Sequence, residues 1–536
     1  MKTRITCIIA LLLSIGSLAA KSPAQSAKQM IADTRAMREK LLSDPHRPGY
    51  HFVSPEGRCG PFDPNAAIFW KGRYHLMYII QTAKGHSWGH VSSSDLVHWR
   101  QHKPSLEPDQ GDKGIFSGGI FLDKKGVPTI TYWGLGHRKS RGICLATSTD
   151  KNLDNWTKNP NNPVIPSTGF GYAAHNVGKA GESIYGTADP SAIWIKGGKY
   201  YVLTGNLLVL NEFGRKRKQA KHLGDTLYLL SSDDMITWKY MHQFYKSDRK
   251  WTRADEDNMC PEFFPLPSSP EGGPDSGRHM ILCISHNLGC RYYIGKYKND
   301  RFIPELHERM TWVDQRLFAP ETFADAKGRR IMWAWLFEGR SHKTRDKYGW
   351  SGTMSLPRVL WLGKDNTLRM RPAKELASLR YNAKKLADQT VKADTEIPLK
   401  GISGNSFEIS LTMSGGAKQF GVKVCCSPDG KEQTLIYYDA ADKKLKVDTR
   451  KSSLGEVAKI KNIEAAPFEL KAGEPLKLRI FVDKAVVEVF ANDRQAIARA
   501  IYPSDKKSTA VKLFAKGGPI KASNIQAWDM MPSNPH

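Results

Sequence analysis

Four carboxylates stand at places in the chain where paired acid groups could act. Asp63 and Asp189 each precede a proline, in Phe62-Asp-Pro-Asn65 and Ala188-Asp-Pro-Ser191. Glu262 and Glu321 each follow one, in Cys260-Pro-Glu262 and Ala319-Pro-Glu321. A single Asp-Pro is an ordinary turn or strand-entry device. Two of them at matching places in a repeated unit point to a shared pocket. Two carboxylates across a pocket suit glycoside hydrolysis, in which one is nucleophile or base and a second, kept protonated, is the general acid.

The repeated unit is what must position them. Five stretches read as variants of one strand-turn-strand pattern: Phe62 to Tyr78, Phe116 to Tyr132, Ala188 to Leu203, Met259 to Ile284 with a longer turn, and Phe318 to Trp335. Most join two β-prone runs through a turn containing Gly. Behind three of them comes a polar turn closed by Trp, at Ser92 to Trp99, Ser148 to Trp156 and Ser231 to Trp238. Radial repetition of such units predicts a five-bladed β-propeller over residues 47–365, with each blade burying its face on the next. Aligned, the units place Asp63, Ser117, Asp189, Cys260 and Ala319 at one station. Strand alternation predicts that the residues two further on, Asn65, Gly119, Ser191, Glu262 and Glu321, face the same channel.

Residues 1–20 read as an export signal, with Lys2 and Arg4 before an apolar run and small residues near its end, which implies a secreted or periplasmic protein. Residues 21–46 hold a short amphipathic helix or linker, and 366–395 read as a second linker. From 396 to 534 period-two runs such as Phe407 to Met413, Leu476 to Val482 and Val486 to Phe490 predict a β-sandwich. The class is therefore all-β. Nothing after the signal is long and apolar enough for an integral membrane segment. The net charge of +27 comes without any nucleic-acid recognition module and reads as a solvated basic surface. After Cys7 the cysteines number an odd seven with no C-x-x-C spacing, so free thiols are the default, although Cys283 and Cys290 could bridge within a hairpin.

Several motifs together carry a resemblance. Arg47-Pro-Gly-Tyr-His-Phe52, Asp63-Pro-Asn65, Phe116-Ser-Gly118, Asp189-Pro190, Cys260-Pro261, Gly328 to Trp333 and Ile480 to Asp493 occur in the order found in glycoside hydrolase family 32. The chain resembles that family of invertases, levanases and inulinases over nearly all of its length after the signal. The resemblance implies a retaining hydrolase of β-fructosyl linkages (sucrose, levan, inulin or a modified fructan), with Asp63 as nucleophile and Asp189 as the stabiliser that holds the furanose hydroxyls. It implies an oligo- or polysaccharide substrate, no cofactor and no metal.

The departures are as informative. Where the family has Asn before its nucleophile, this chain has Phe62. Where the family has Arg before the stabiliser, it has Ala188. Where the family has its acid/base Glu, directly before Cys-Pro, it has Met259, whose thioether cannot donate a proton. Glu321 is the first candidate for the replacement acid, Glu262 the second, and Asp257 with Glu256 the third. Asn65, Ser117 and Trp88 are candidate substrate-binding residues. Trp88 and Trp133 either stack on a sugar ring or pack in the core, and Arg291 and Tyr292 either line the pocket or pack. His75, His86, His90 and His98 lack metal-ligand spacing and read as packing or hydrogen-bonding residues. Asp483 and Glu488 read as a turn residue and a solvated strand residue. A furanosidase for arabinosyl or xylosyl glycans, and a non-catalytic glycan-binding propeller, are the competing readings. The oligomeric state is not encoded.

Overall fold

The computed structural model describes residues 26–109, 111–136, 141–169, 174–210, 224–246, 248–455 and 461–534. The export-signal reading of residues 1–20 lies outside them. A helix at Ala27–Leu42, capped by the Ser26 side chain accepting the Gln29 N–H, leads into five antiparallel sheets.

Each sheet begins with a strand at the centre and works outward. The innermost strands are Pro64–Trp70, Asp112–Leu122, Ala188–Pro190, Met259–Pro267 and Leu317–Ala324. Each touches the next, and the fifth touches the first, so the ring is closed. Lys71-Gly72, Gly197-Gly198 and Asn299-Asp300 turn three of the hairpins with both residues at positive φ, the geometry whose twist suits a two-residue connection. In the polar turns Asp95, Asp150 and Asp234 each accept several backbone N–H groups before the strand or segment that carries the Trp.

Strand alternation supplies each seam between blades with its own core. In the second strand of blade one, Leu76, Tyr78 and Ile80 pack on Ile331 and Trp333 of blade five, while Met77 and Ile79 pack toward Ile115 and Ile130 of blade two. Phe121 and Leu145 meet Tyr200 and Val202 between blades two and three, and Leu203 and Leu229 meet Ile281 and Tyr293 between three and four. Each such side chain contributes roughly 1.5–3 kcal/mol on burial. Backbones also meet closely. A Cβ on Gly119 would lie 2.5 Å from the Ala192 nitrogen of the next blade.

Residues 366–395 are not a linker. Leu368–Pro372 is the outermost strand of blade five, and Arg380–Leu386 and Gln389–Val391 pair with the C-terminal strand Ile520–Met530. The second unit is two stacked antiparallel sheets around a core that includes Phe407, Val422, Leu478 and Val489. Glu488 is not solvated, and Asp483 is more than a turn residue. Both are fully buried where this sandwich meets the propeller. Asp483 accepts the N–H groups of Gly49, Tyr50 and His51 at 2.7–2.8 Å and His51 Nδ1 at 3.0 Å. Glu488 accepts Leu356 N–H at 2.7 Å and Arg358 Nη2 at 2.9 Å. The Arg47-to-Phe52 motif is thus a clamp between the two units. The described cysteines are all free, and in the hairpin Cys283 pairs with Arg291 while Cys290 pairs with Ile284.

Candidate active site

The centre of the ring is shaped by irregularity repeated in every blade. Each innermost strand has a register shift near the aligned station, between Pro64 and Ala66, Phe116 and Gly118, Ala188 and Pro190, Met259 and Glu262, and Phe318 and Glu321. The shifts fall at or beside the aligned station. In blades three to five the station residue itself is left-handed, with φ of 34° at Asp189, 48° at Cys260 and 43° at Ala319. That backbone costs a non-glycine residue on the order of 1–3 kcal/mol, and such strain gathers where a side chain must be aimed.

The bulges bring four stations into one cluster. Ser117 Oγ donates to Asp63 Oδ2 at 3.0 Å. The Cys260 N–H and Sγ donate to Asp189 Oδ2 at 3.2 and 3.4 Å, and the same Sγ lies 3.7 Å from Ser117 Oγ. Asp63 and Asp189 are 6 % and 5 % exposed, and among the described residues the Oδ1 atom of each has no hydrogen-bond partner. Burial, then the charge of Asp189, pushes Asp63 up to about 7 against the opposing pull of Ser117 and His286. Burial likewise raises Asp189 to about 6, opposed by His286 and by the Cys260 bonds. Asn65 is buried beside the blade-one bulge, with neither amide atom partnered among the described residues.

Glu321 and Glu262 fall elsewhere, which corrects the expectation that either is the acid. The bulge inserts an extra residue between the station and the rest of the strand, so counting by twos no longer leads to the same face. Glu321 instead spans blades, with Oε1 accepting the Ala67 N–H at 2.9 Å. Glu262 accepts from Thr322 Oγ1 at 3.0 Å. Burial, then repulsion from Glu262, pushes the Glu321 carboxyl well above the usual carboxylate range, and the charges that bear most on it are Glu262 and Arg330. The pair is a seam between blades. Glu256 is also committed, taking Arg309 Nη2 on both oxygens at 2.9 Å.

Trp88 is not a stacking platform. It is fully buried, with Nε1 donating to the Phe116 carbonyl at 3.2 Å. Arg291 is equally sealed, salt-bridged to Asp225 at 2.6 Å and donating to the Asp257 carbonyl at 2.6 Å, and Tyr292 is buried. The half-buried aromatics are Trp133, Trp335 and Phe337, packed on an apolar patch of Ala188, Met259 and Phe318. Trp133 Nε1 has no partner among the described residues. Phe62 is wholly inside the core, against Phe52 and Tyr78. In blade one His75, His90 and His102 stack beside Asp154, but both His102 nitrogens are occupied, by Ser92 Oγ at 2.7 Å and Asp154 at 2.6 Å.

One residue near the aspartates escaped the sequence reading. His286 lies just past the strand Asp275–Ser285, with Nδ1 2.5 Å from Asp257 Oδ2 and its N–H on Asp257 Oδ1 at 2.9 Å. The signal for it was the hairpin register. Met259 pairs with Ile284, so two residues nearer the channel Asp257 falls opposite His286.

Comparison with known proteins gives the family and the fold. The model of the "Glycosyl hydrolases family 32 N-terminal domain" matches residues 51–372, and that of the family's C-terminal domain matches 375–529. A levanase of Bacillus subtilis is 29 % identical, over 91 % of this chain and 71 % of its own. A sucrose-6-phosphate hydrolase of Zymomonas mobilis is 28 % identical, over 92 % of this chain and 94 % of its own. The crystal structure of fructan 1-exohydrolase IIa from Cichorium intybus superposes with a TM-score of 0.77 at 23 % identity, covering 92 % of this chain and 98 % of that one. Among the described residues, no helix is long and apolar enough to cross a membrane.

Proposed function

Because the chain belongs to glycosyl hydrolase family 32, we propose that it hydrolyses β-fructosyl linkages by a retaining double displacement, with Asp63 as nucleophile and Asp189 as stabiliser of the sugar. The observation that carries this reading is the convergence of these two aspartates on one buried cluster, each with an oxygen free. An unpartnered buried carboxylate oxygen is costly unless a ligand completes it. Furanose hydroxyls would complete Asp189, and the anomeric carbon would take the free oxygen of Asp63.

The environment suits that division. Asp63 has few hydrogen bonds to relinquish when it attacks. Ser117 and Cys260 hold the second oxygens and so fix which way the free ones point. Attack forms a bond from Asp63 to the anomeric carbon as the glycosidic bond breaks, and water then cleaves the fructosyl ester. Ala188 and Met259 are buried in an apolar cluster beside the aspartates, so the site is built without the family's arginine or glutamate. The half-buried Trp133 and Trp335 offer ring faces to such a substrate. Work outside the cytoplasm rests on the export-signal reading of residues 1–20.

The test is release of fructose from inulin, levan and sucrose by the protein and by Asp63→Ala. Turnover that vanishes in the variant supports the reading. Turnover confined to arabinosyl or xylosyl substrates would overturn the fructosyl assignment.

A further inference from the structure

We infer that His286, oriented by Asp257, is the acid/base residue of this enzyme, in place of the carboxylic acid missing at Met259. The inference rests on the reading of Asp63 and Asp189 given above.

Met259 is 2 % exposed in an apolar cluster with Ala188, Ile284, Phe318 and Ala319, so the family's acid position has become packing. A Cβ on Gly205 would lie 2.7 Å from its sulfur. The neighbouring carboxyls are committed, as described: Glu262 and Glu321 to each other and to the blade seam, Glu256 to Arg309. Among the described residues, the proton-donating side chain whose charge acts on both aspartates is the His286 imidazole.

Its geometry is that of an oriented base. Asp257 is fully buried and grips His286 twice, through the backbone N–H and through Nδ1. Asp257 is itself held, since Arg291 Nη2 donates to its carbonyl at 2.6 Å and Asn206 N–H to the next carbonyl, of Asn258, at 2.8 Å. With Nδ1 bonded to a carboxylate, Nε2 is the working nitrogen, and it has no hydrogen-bond partner among the described residues. The side chain is 30 % exposed while that of Asp257 is not exposed at all, so of the two only the ring is accessible. Phe318, at the start of the blade-five strand, meets the ring edge-on at 5.8 Å. The charged groups facing His286 are Asp257, Asp189 and Asp63. Burial pulls its basicity down, but those three carboxylates raise it above the ordinary histidine range.

The step balances without any other reactant. As Asp63 bonds to the anomeric carbon, the glycosidic oxygen leaves with the bonding pair and takes the proton from Nε2 of the imidazolium. The neutral imidazole then accepts a proton from water as the water oxygen attacks the same carbon. The ester bond to Asp63 breaks, and both groups return to their starting states. A general acid of this kind is worth roughly 10²–10⁴-fold on a poor leaving group and little on a good one.

The experiment compares wild type, His286→Gln and Asp257→Asn on a natural fructoside and on 4-nitrophenyl β-fructofuranoside, with thermal melting as the check on folding. Expected for His286→Gln is a 10²–10⁴-fold fall in kcat/KM on the natural substrate, less than about tenfold on the activated one, and loss of the alkaline limb of the pH profile. Asp257→Asn, which acts through the ring, should move that limb to lower pH. Met259→Glu on top of His286→Gln should restore part of the natural-substrate rate. Equal losses on both substrates, or an unchanged alkaline limb, would overturn the role of His286 while leaving the hydrolase reading intact. A wild type inert toward both fructosides would refute that reading itself, and this inference with it.

Discussion

The channel site and the seam between propeller and sandwich are both built on buried carboxylates, yet they are opposite in character. At the seam Asp483 receives three backbone N–H groups and an imidazole, and Glu488 receives a backbone N–H and a guanidinium. Burial would lower His51, but its bonds to those two carboxylates outweigh this and raise it to about 9. In the channel Asp63 and Asp189 are nearly as deep, but each has one oxygen partnered and one free, and both are pushed toward neutral pH. Burial alone therefore does not make a carboxylate reactive. Burial with unfilled hydrogen-bonding capacity does, because the missing partner can be a substrate.

The sharpest way to break this contrast is to remove one carboxylate from each region. Asp63→Ala is expected to lower fructoside turnover by about 10⁴-fold or more, with the fold kept, as judged by initial rates and circular dichroism. Asp483→Ala is expected to do the reverse, costing roughly 3–5 kcal/mol of stability by stranding three N–H groups and a buried cationic His51, while the folded fraction keeps its activity. Denaturant melts read that loss. An Asp483→Ala protein of unchanged stability would dissolve the contrast.

Asp63→Asn sharpens it. The folded-state value of about 7 lies above the 3.8 of an ordinary aspartate. The stability that protonated Asp63 contributes is complete below about pH 4 and is lost as pH rises to about 7, a span worth at most roughly 4 kcal/mol. Asp63→Asn should therefore melt at a higher temperature than wild type at pH 8, and the gap should close toward pH 4. The same ionisation predicts that wild-type kcat/KM falls as pH drops below about 7, because a protonated Asp63 cannot attack. The smallest effect is expected from Trp133→Ala, about a tenfold rise in KM with kcat nearly unchanged, against Trp88→Phe, which should alter stability and leave KM alone.

Much of this contrast was readable from residue order. Glycine turns, the Asp-to-Trp turns and period-two runs gave the blades because each is a local device with one geometry. Asp63, Ser117 and Asp189 were reachable because the repeat put them at one station. What failed did so where the chain leaves its local rules. Glu262 and Glu321 were misassigned because a bulge resets the alternation on which the count depended. Asp483 looked like a turn residue and Glu488 a solvated one because their partners, residues 49–51 and 356–358, lie more than a hundred residues away. Trp88 looked like a platform because burial is set by the neighbouring blade. His286 was missed although the hairpin already implied its register with Asp257.

The most direct test of the two-aspartate site is the configuration of a trapped product. When methanol competes with water, wild type should form methyl β-fructofuranoside, with the anomeric configuration retained, and Asp63→Asn should form none. Methyl α-fructofuranoside, or the same β product made at equal rate by Asp63→Asn, would contradict covalent catalysis by Asp63.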